Sequence, residues 1–193
     1  MKVFIDDNIQ EYAPEQIARW MDELPQWRRE KVEAIRHDTG RRQSLLAYRL
    51  LCQGLREEYG IGEPPAFVYG KHGKPFLHAP HSTLHFSLSH CREAVACIID
   101  ERPCGIDIES TDRKVSDSLI RYSMNEEEQA EIAHSIDKSH TFLRLWTQKE
   151  AVLKLIGTGI RDTMKDVLAD CPYIIETRET GHYVVSIATQ RPS

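Results

Sequence analysis

No stretch of about 18 consecutive apolar residues occurs in the 193-residue sequence, which removes a membrane-spanning helix from the expected elements. The opening MKVFIDDNIQEY lacks the continuous apolar segment of a secretory leader, so a cytoplasmic protein without membrane association is expected. A basic excess is also missing. Lys and Arg number 25 against 30 Asp and Glu, a net charge of −5, whereas a nucleic-acid binder typically carries a positive balance. Cysteine is sparse and scattered: Cys52, Cys91, Cys97, Cys104 and Cys171 are odd in number and include no C-x-x-C pair. They read as small buried hydrophobes in a reducing compartment. No low-complexity linker interrupts the chain.

What remains is an ordinary globular composition. At 40% hydrophobic residues the chain can build one sizeable core, or two small lobes sharing an interface. Its charge is uneven. Arg28 to Arg56 is rich in Arg and Lys, while Glu126, Glu127 and Glu128 form an acidic run, so the N-terminal third is suited to holding an anion.

Periodicity orders the elements. Lys2 to Ile5 reads as a strand, and Pro14 to His37 as helix broken at Pro25, with Ile17, Trp20, Met21 and Leu24 at three- and four-residue steps. Thr39 is the expected N-cap of the next helix, whose Leu45, Leu46, Leu50, Leu51 and Leu55 form an apolar stripe ended by Gly60 and Gly62. Strands follow at AFVYG, HFSLSH, EAVACIID and GIDIE. Helix is expected again over Ser116 to Tyr122, after Asn125, and over Ser139 to Ile156, with two closing strands, YIIETR and YVVSIAT. The order strand, helices, strands thus occurs twice. That predicts an α+β fold of two similar lobes, 1–104 and 105–193, each a small antiparallel sheet against helices.

Few side chains combine chemistry with placement. Asp107 and Glu109 lie two apart on a strand and face one way, with Ile106 and Ile108 facing the other. Paired hard carboxylates suit magnesium, although a solvated strand face has the same pattern. Glu150 and Lys154 are one helical turn apart, either a surface ion pair or a carboxylate and cation serving a reaction. Ser89 and His90 end the HFSLSH strand, where they can meet a phosphate. Gly73, Lys74 and Pro75 form a turn able to cover a nucleotide. Arg28, Lys31, Arg41 and Arg42, with Ser44 beside them, are either a solvated face or guanidinium and ammonium donors for a phosphate monoester.

The sequence of blocks carries more than any one of them. A basic helix, G-K-P, F-S-L-S-H, G-I-D-I-E and W-T-Q-K-E-A-V-L-K, in this order between about Arg28 and Gly159, resembles the phosphopantetheinyl transferases of the larger, two-lobed, Sfp-like type. The resemblance implies a two-lobed pseudo-dimer with its active site between the lobes. It also implies magnesium-dependent transfer of 4′-phosphopantetheine from coenzyme A to a serine of an apo carrier protein, of fatty-acid, polyketide or peptide-synthetase type. On this resemblance Asp107, Glu109 and Glu150 hold magnesium against the pyrophosphate, and the base is Glu150, directly or through a metal-bound water. Lys154 contacts the phosphate under attack. Ser89, His90, Arg28 and Lys31 bind the 3′-phosphate, Lys74 and Pro75 lie near the adenine, and Ser44 lies close to phosphate. Gln43 stands where some relatives have a basic residue, with Arg41 or Arg42 as its substitute. Carrier docking falls to Arg113, Lys114, Leu119, Arg121, Tyr122 and Met124, and a monomer is the expected state.

Overall fold

The computed structural model describes residues 1–159 and 164–191. In chain order its elements are β1 (Lys2–Asp6), α1 (Pro14–Asp22), α2 (Gln26–Glu33), α3 (Asp38–Tyr59), β2 (Phe67–Tyr69), β3 (Pro75–Leu77), β4 (His85–His90), β5 (Val95–Asp100), β6 (Cys104–Ser110), α4 (Asp117–Ser123), α5 (Glu126–His134), α6 (Lys138–Ile156), β7 (Ile174–Glu179) and β8 (Tyr183–Thr189). This is an α+β fold of small antiparallel sheets packed against six helices among the described residues. None of those helices is long and apolar enough to cross a membrane.

Pro25 separates the first two helices as expected, but Thr39 does not cap the third. That helix starts at Asp38, two residues earlier than a Thr39 cap implies, with His37 at the cap and no side-chain bond to it. The leucine stripe of α3 is buried against β5, the middle strand of sheet β1-β5-β4. Every residue of β5 is buried, which accounts for the unbroken apolar run VACII before Asp100. The other three-stranded sheet runs β6-β8-β7, with α6 across it. In both sheets the strand before the helices pairs with the last strand, which pairs with the next to last. A two-stranded hairpin of β2 and β3 stands apart.

The two sheets meet along β4 and β6. The Oγ of Ser87 accepts from the backbone N–H of Ile106, and that of Ser89 from Ile108, each at 3.2 Å. The free edge of β6 is therefore satisfied by alternate hydroxyls of β4 rather than by another strand. Beneath this seam Ala96 and Ile98 of β5 pack with Ile106, Ile108, Val185 and Ile187 in one buried cluster. That shared core fixes β4 against β6 and sets the position of every carboxylate described below.

Candidate active site

Gly105 determines how closely α6 approaches β6. A Cβ built there would lie 2.0 Å from the carbonyl oxygen of Ala151 and 2.6 Å from the nitrogen of Leu155, so only glycine admits the helix at backbone contact. Glu150 and Lys154 therefore stand directly over the strand that carries Asp107 and Glu109.

Asp107 is the hub. It is buried at 5% exposure, and its Oδ1 accepts from the Oγ of Ser89 and from the Nζ of Lys154, both at 2.8 Å. Lys154 thus bridges across to the strand instead of pairing along its helix with Glu150, and its ammonium also meets the Leu88 carbonyl at 3.4 Å. The Oδ2 of Asp107 and the Oε1 of Glu150 are buried acceptors with no donor among the described residues. Burial, followed by the charge of Asp107, pushes the Glu150 and Glu109 carboxyls up to about 7. Two buried acceptors without donors, beside mutually repelling carboxyls, suit a small hard divalent cation. The set is not assembled as a ligand cluster: no three His, Cys, Asp or Glu side chains among the described residues are arranged to hold a metal ion. Glu109 is already bound by donors of the protein itself. Its Oε1 accepts from Nη1 of Arg113 and, at 3.1 Å, from Nε1 of Trp146.

A cavity of about 240 Å³ opens beside these groups, lined by the Gly73–Pro75 turn, Phe86, Leu88, Glu150, Lys154 and Gly157 among others. Lys74 spans it, donating from Nζ to the carbonyl of Leu155 at 2.8 Å and closing the end of α6. Gly157 ends that helix at φ 81°, where Lys74 passes so closely that a Cβ would stand 2.9 Å from its Cδ. His90 lies exposed at the end of β4, its imidazole pKa lowered by surrounding protein and then by Lys154.

The basic residues divide. Arg28 gives Nη2 to the Ser44 carbonyl at 2.7 Å and to its Oγ at 2.8 Å, with its guanidinium 5.0 Å from the Tyr48 ring centre. Lys31 is exposed, meets the Tyr69 hydroxyl, and lies 3.9 Å from that ring's centre. Arg42 is committed to the fold, bonding the Ile9 carbonyl at 2.8 Å from Nε and that of Tyr12 at 2.8 Å from Nη2. Arg41 bonds the Ile35 carbonyl at 2.7 Å and Asp38 at 3.3 Å.

Among the docking candidates, Met124 is overturned. It is 0% exposed within the core of the α4–α6 helices, because it caps α4 from inside. Leu119 also packs against that core, whereas Lys114, Arg121 and Tyr122 are exposed. Arg113 faces Glu109 and Trp146. Three residues escaped sequence reasoning: Ser87 at the sheet seam, Trp146 as donor to Glu109, and Lys149. Lys149 is 0% exposed, with its ammonium 2.6 Å from Glu128 Oε2. A lysine inside an otherwise apolar helix face was the available signal for it.

Comparison with known proteins agrees with this geometry. Residues 103–189 match the family described as the 4′-phosphopantetheinyl transferase superfamily. The chain is 33% identical over 186 residues to the 4′-phosphopantetheinyl transferase psf-1 of Bacillus pumilus, covering 86% of this chain and 78% of that one. It is 28% identical over 172 residues to a 4′-phosphopantetheinyl transferase of Bacillus subtilis, covering 88% and 73% respectively. With Sfp of Bacillus subtilis strain 168 it shares 27% over 151 residues, 77% of this chain and 66% of the relative.

Proposed function

Because this chain belongs to the 4′-phosphopantetheinyl transferase superfamily, we propose that it moves the 4′-phosphopantetheine of coenzyme A onto a serine of an apo carrier protein, releasing adenosine 3′,5′-bisphosphate. The observation that carries this reading is the pair of buried carboxylate oxygens without donors, on Asp107 and Glu150, next to Lys154 and an open cavity. The matching strand orders of the two sheets support two lobes, 1–104 and 105–193, related as a pseudo-dimer with the site at their seam.

Asp107, Glu109 and Glu150 would hold magnesium, which when bound supplies neutralising charge to the pyrophosphate and the leaving group. Glu150 accepts the proton of the attacking serine hydroxyl. In the metal-free site its carboxyl is pushed up to about 7 by burial and by Asp107; a bound cation withdraws part of that basicity, so the ligand and proton-accepting roles oppose each other. The serine oxygen bonds to the β-phosphorus as the bond to the departing bisphosphate breaks. Lys154, held by Asp107, sets a cation where negative charge accumulates. Lys74 and Pro75 border the nucleotide, and His90 and Lys31 supply exposed donors for its 3′-phosphate. Arg28 fixes Ser44 toward the same end, and Arg41, the less committed of the two guanidiniums, serves phosphate in preference to Arg42. The Ser89 hydroxyl, occupied by Asp107 and Ile108, orders the site from behind. Lys114, Arg121 and Tyr122 offer the carrier an exposed basic and aromatic face.

The test is mass spectrometry of several apo carriers after incubation with coenzyme A and magnesium, looking for the phosphopantetheine increment. Asp107→Asn and Glu150→Gln should each slow transfer by roughly 100-fold or more while circular dichroism stays unchanged. Full activity in either variant sinks the assignment. Release of adenosine bisphosphate without a carrier would instead mean that water is the nucleophile.

A further inference from the structure

Arg113 occupies a place that the proposed chemistry does not explain. It lies on the segment between β6 and α4, anchored by its own N–H to the Ser110 carbonyl at 3.1 Å. Its guanidinium pairs with Glu109 and rests 4.8 Å from the centre of the Trp146 ring. Trp146 donates to the same Glu109 oxygen at 3.1 Å. Arginine and indole therefore form a clamp on one carboxylate of the acidic set and on neither of the others. Asp107 has Lys154 and Ser89 as partners, and Glu150 keeps a buried oxygen without any.

We propose that Arg113 is a positioning residue acting through Glu109: its guanidinium stands in for the divalent cation, keeps Glu109 out of the ligand set, and gives way when the cation binds. This inference rests on the metal reading given above. A fixed positive charge beside a carboxylate stabilises it when the site holds no other cation. The same charge repels an arriving divalent ion and competes with it for the Glu109 oxygen. Arg113 thus lowers the affinity for free cation. The clamp also couples cation binding to Trp146, because freeing Glu109 removes an acceptor from the indole N–H and shifts the cation facing its ring.

The experiment uses manganese(II) as probe on the full chain without coenzyme A, at pH 8, followed by electron paramagnetic resonance of free Mn²⁺ and by tryptophan emission. Arg113→Gln should bind Mn²⁺ about 5- to 10-fold more tightly than wild type, the scale expected for removing one partly screened charge. Wild-type emission should change with manganese, and Trp146→Phe should abolish that change while leaving Trp20 and Trp27 in place. In Arg113→Gln the emission change should be smaller, since part of the clamp is already gone. Unaltered or weaker Mn²⁺ binding in Arg113→Gln overturns the stand-in role while leaving the metal site intact. A wild-type protein that binds no Mn²⁺ at all overturns the metal reading and this inference together.

Discussion

Replacing Lys149 by methionine should remove about 3–4 kcal/mol of folding stability. The side chain is 0% exposed, and its ammonium lies 2.6 Å from Glu128 Oε2, 2.9 Å from the carbonyls of Ser123 and Met164, and 3.0 Å from that of Lys165. One cation therefore ties the end of α4, the start of α5 and the turn after residue 163 onto α6. Methionine preserves length and apolar volume, so the cavity contribution is small. What it leaves behind is a buried carboxylate and three carbonyls short of a donor. Breaking a buried ion pair from one side typically costs about 3–5 kcal/mol. The lower part of that range applies because Glu128 keeps a second bond, from the Asn125 N–H at 2.9 Å.

For a chain of this size the loss corresponds to a fall in melting temperature of about 10 °C. Urea unfolding followed by far-ultraviolet circular dichroism measures it directly. Pairing the change with Glu128→Gln removes the stranded charge and should return roughly 1–2 kcal/mol, the coupling expected of partners in contact. A Lys149→Met protein within about 1 kcal/mol of wild type, with an unchanged denaturant slope, refutes the four-way contact.

Three further outcomes are expected. Lys31→Ala should raise the KM for coenzyme A by roughly 10-fold, about one charge-assisted bond, while leaving that for dephospho-coenzyme A nearly unchanged; equal effects on both substrates would remove Lys31 from the 3′-phosphate. Arg28→Ala should also lower stability, because its guanidinium holds Ser44. Metal-free protein should lose stability as pH rises from about 4.5 to 7. Glu109 and Glu150 are pushed from 4.5 to about 7, which adds protons to the folded state in that window; the lowered His85 and His90 oppose this, but the carboxyl shifts are the larger, so the slope of stability with pH is negative. Magnesium should largely cancel this loss at pH 8; a flat or rising metal-free profile contradicts the crowding of these carboxyls.

Most helices and strands were legible in the sequence because their periodicities are clean, whereas the three-residue β3 was too short to show one. The α3 leucines, the unbroken VACII of a strand buried on both faces, and Pro25 between two helices each report a local cause. The start of α3 was not legible. Thr39 is a good capping residue by type, but His37 holds the cap because the helix begins one residue before Thr39. Met124 illustrates the same limit. Its place after the exposed Arg121 and Tyr122 suggested a surface, yet the turn into α5 swings it into the α4–α6 core.

For the site, sequence spacing put Asp107 and Glu109 on one face but could not assign their partners. Glu150 and Lys154, one turn apart, looked like a pair along the helix. Instead the backbone contact at Gly105 brings α6 so close to β6 that Lys154 finds Asp107 across the gap, leaving Glu150 without a cation for Oε1. A glycine that reads as strand punctuation is thus what separates the acid from its lysine. Burial under the same close packing, and then the charge of Asp107, raise the Glu150 pKa in the metal-free site. The Glu109 clamp by Arg113 and Trp146 depends on a loop turn and an indole 37 residues away, a relation carried by packing and by no periodicity in the chain.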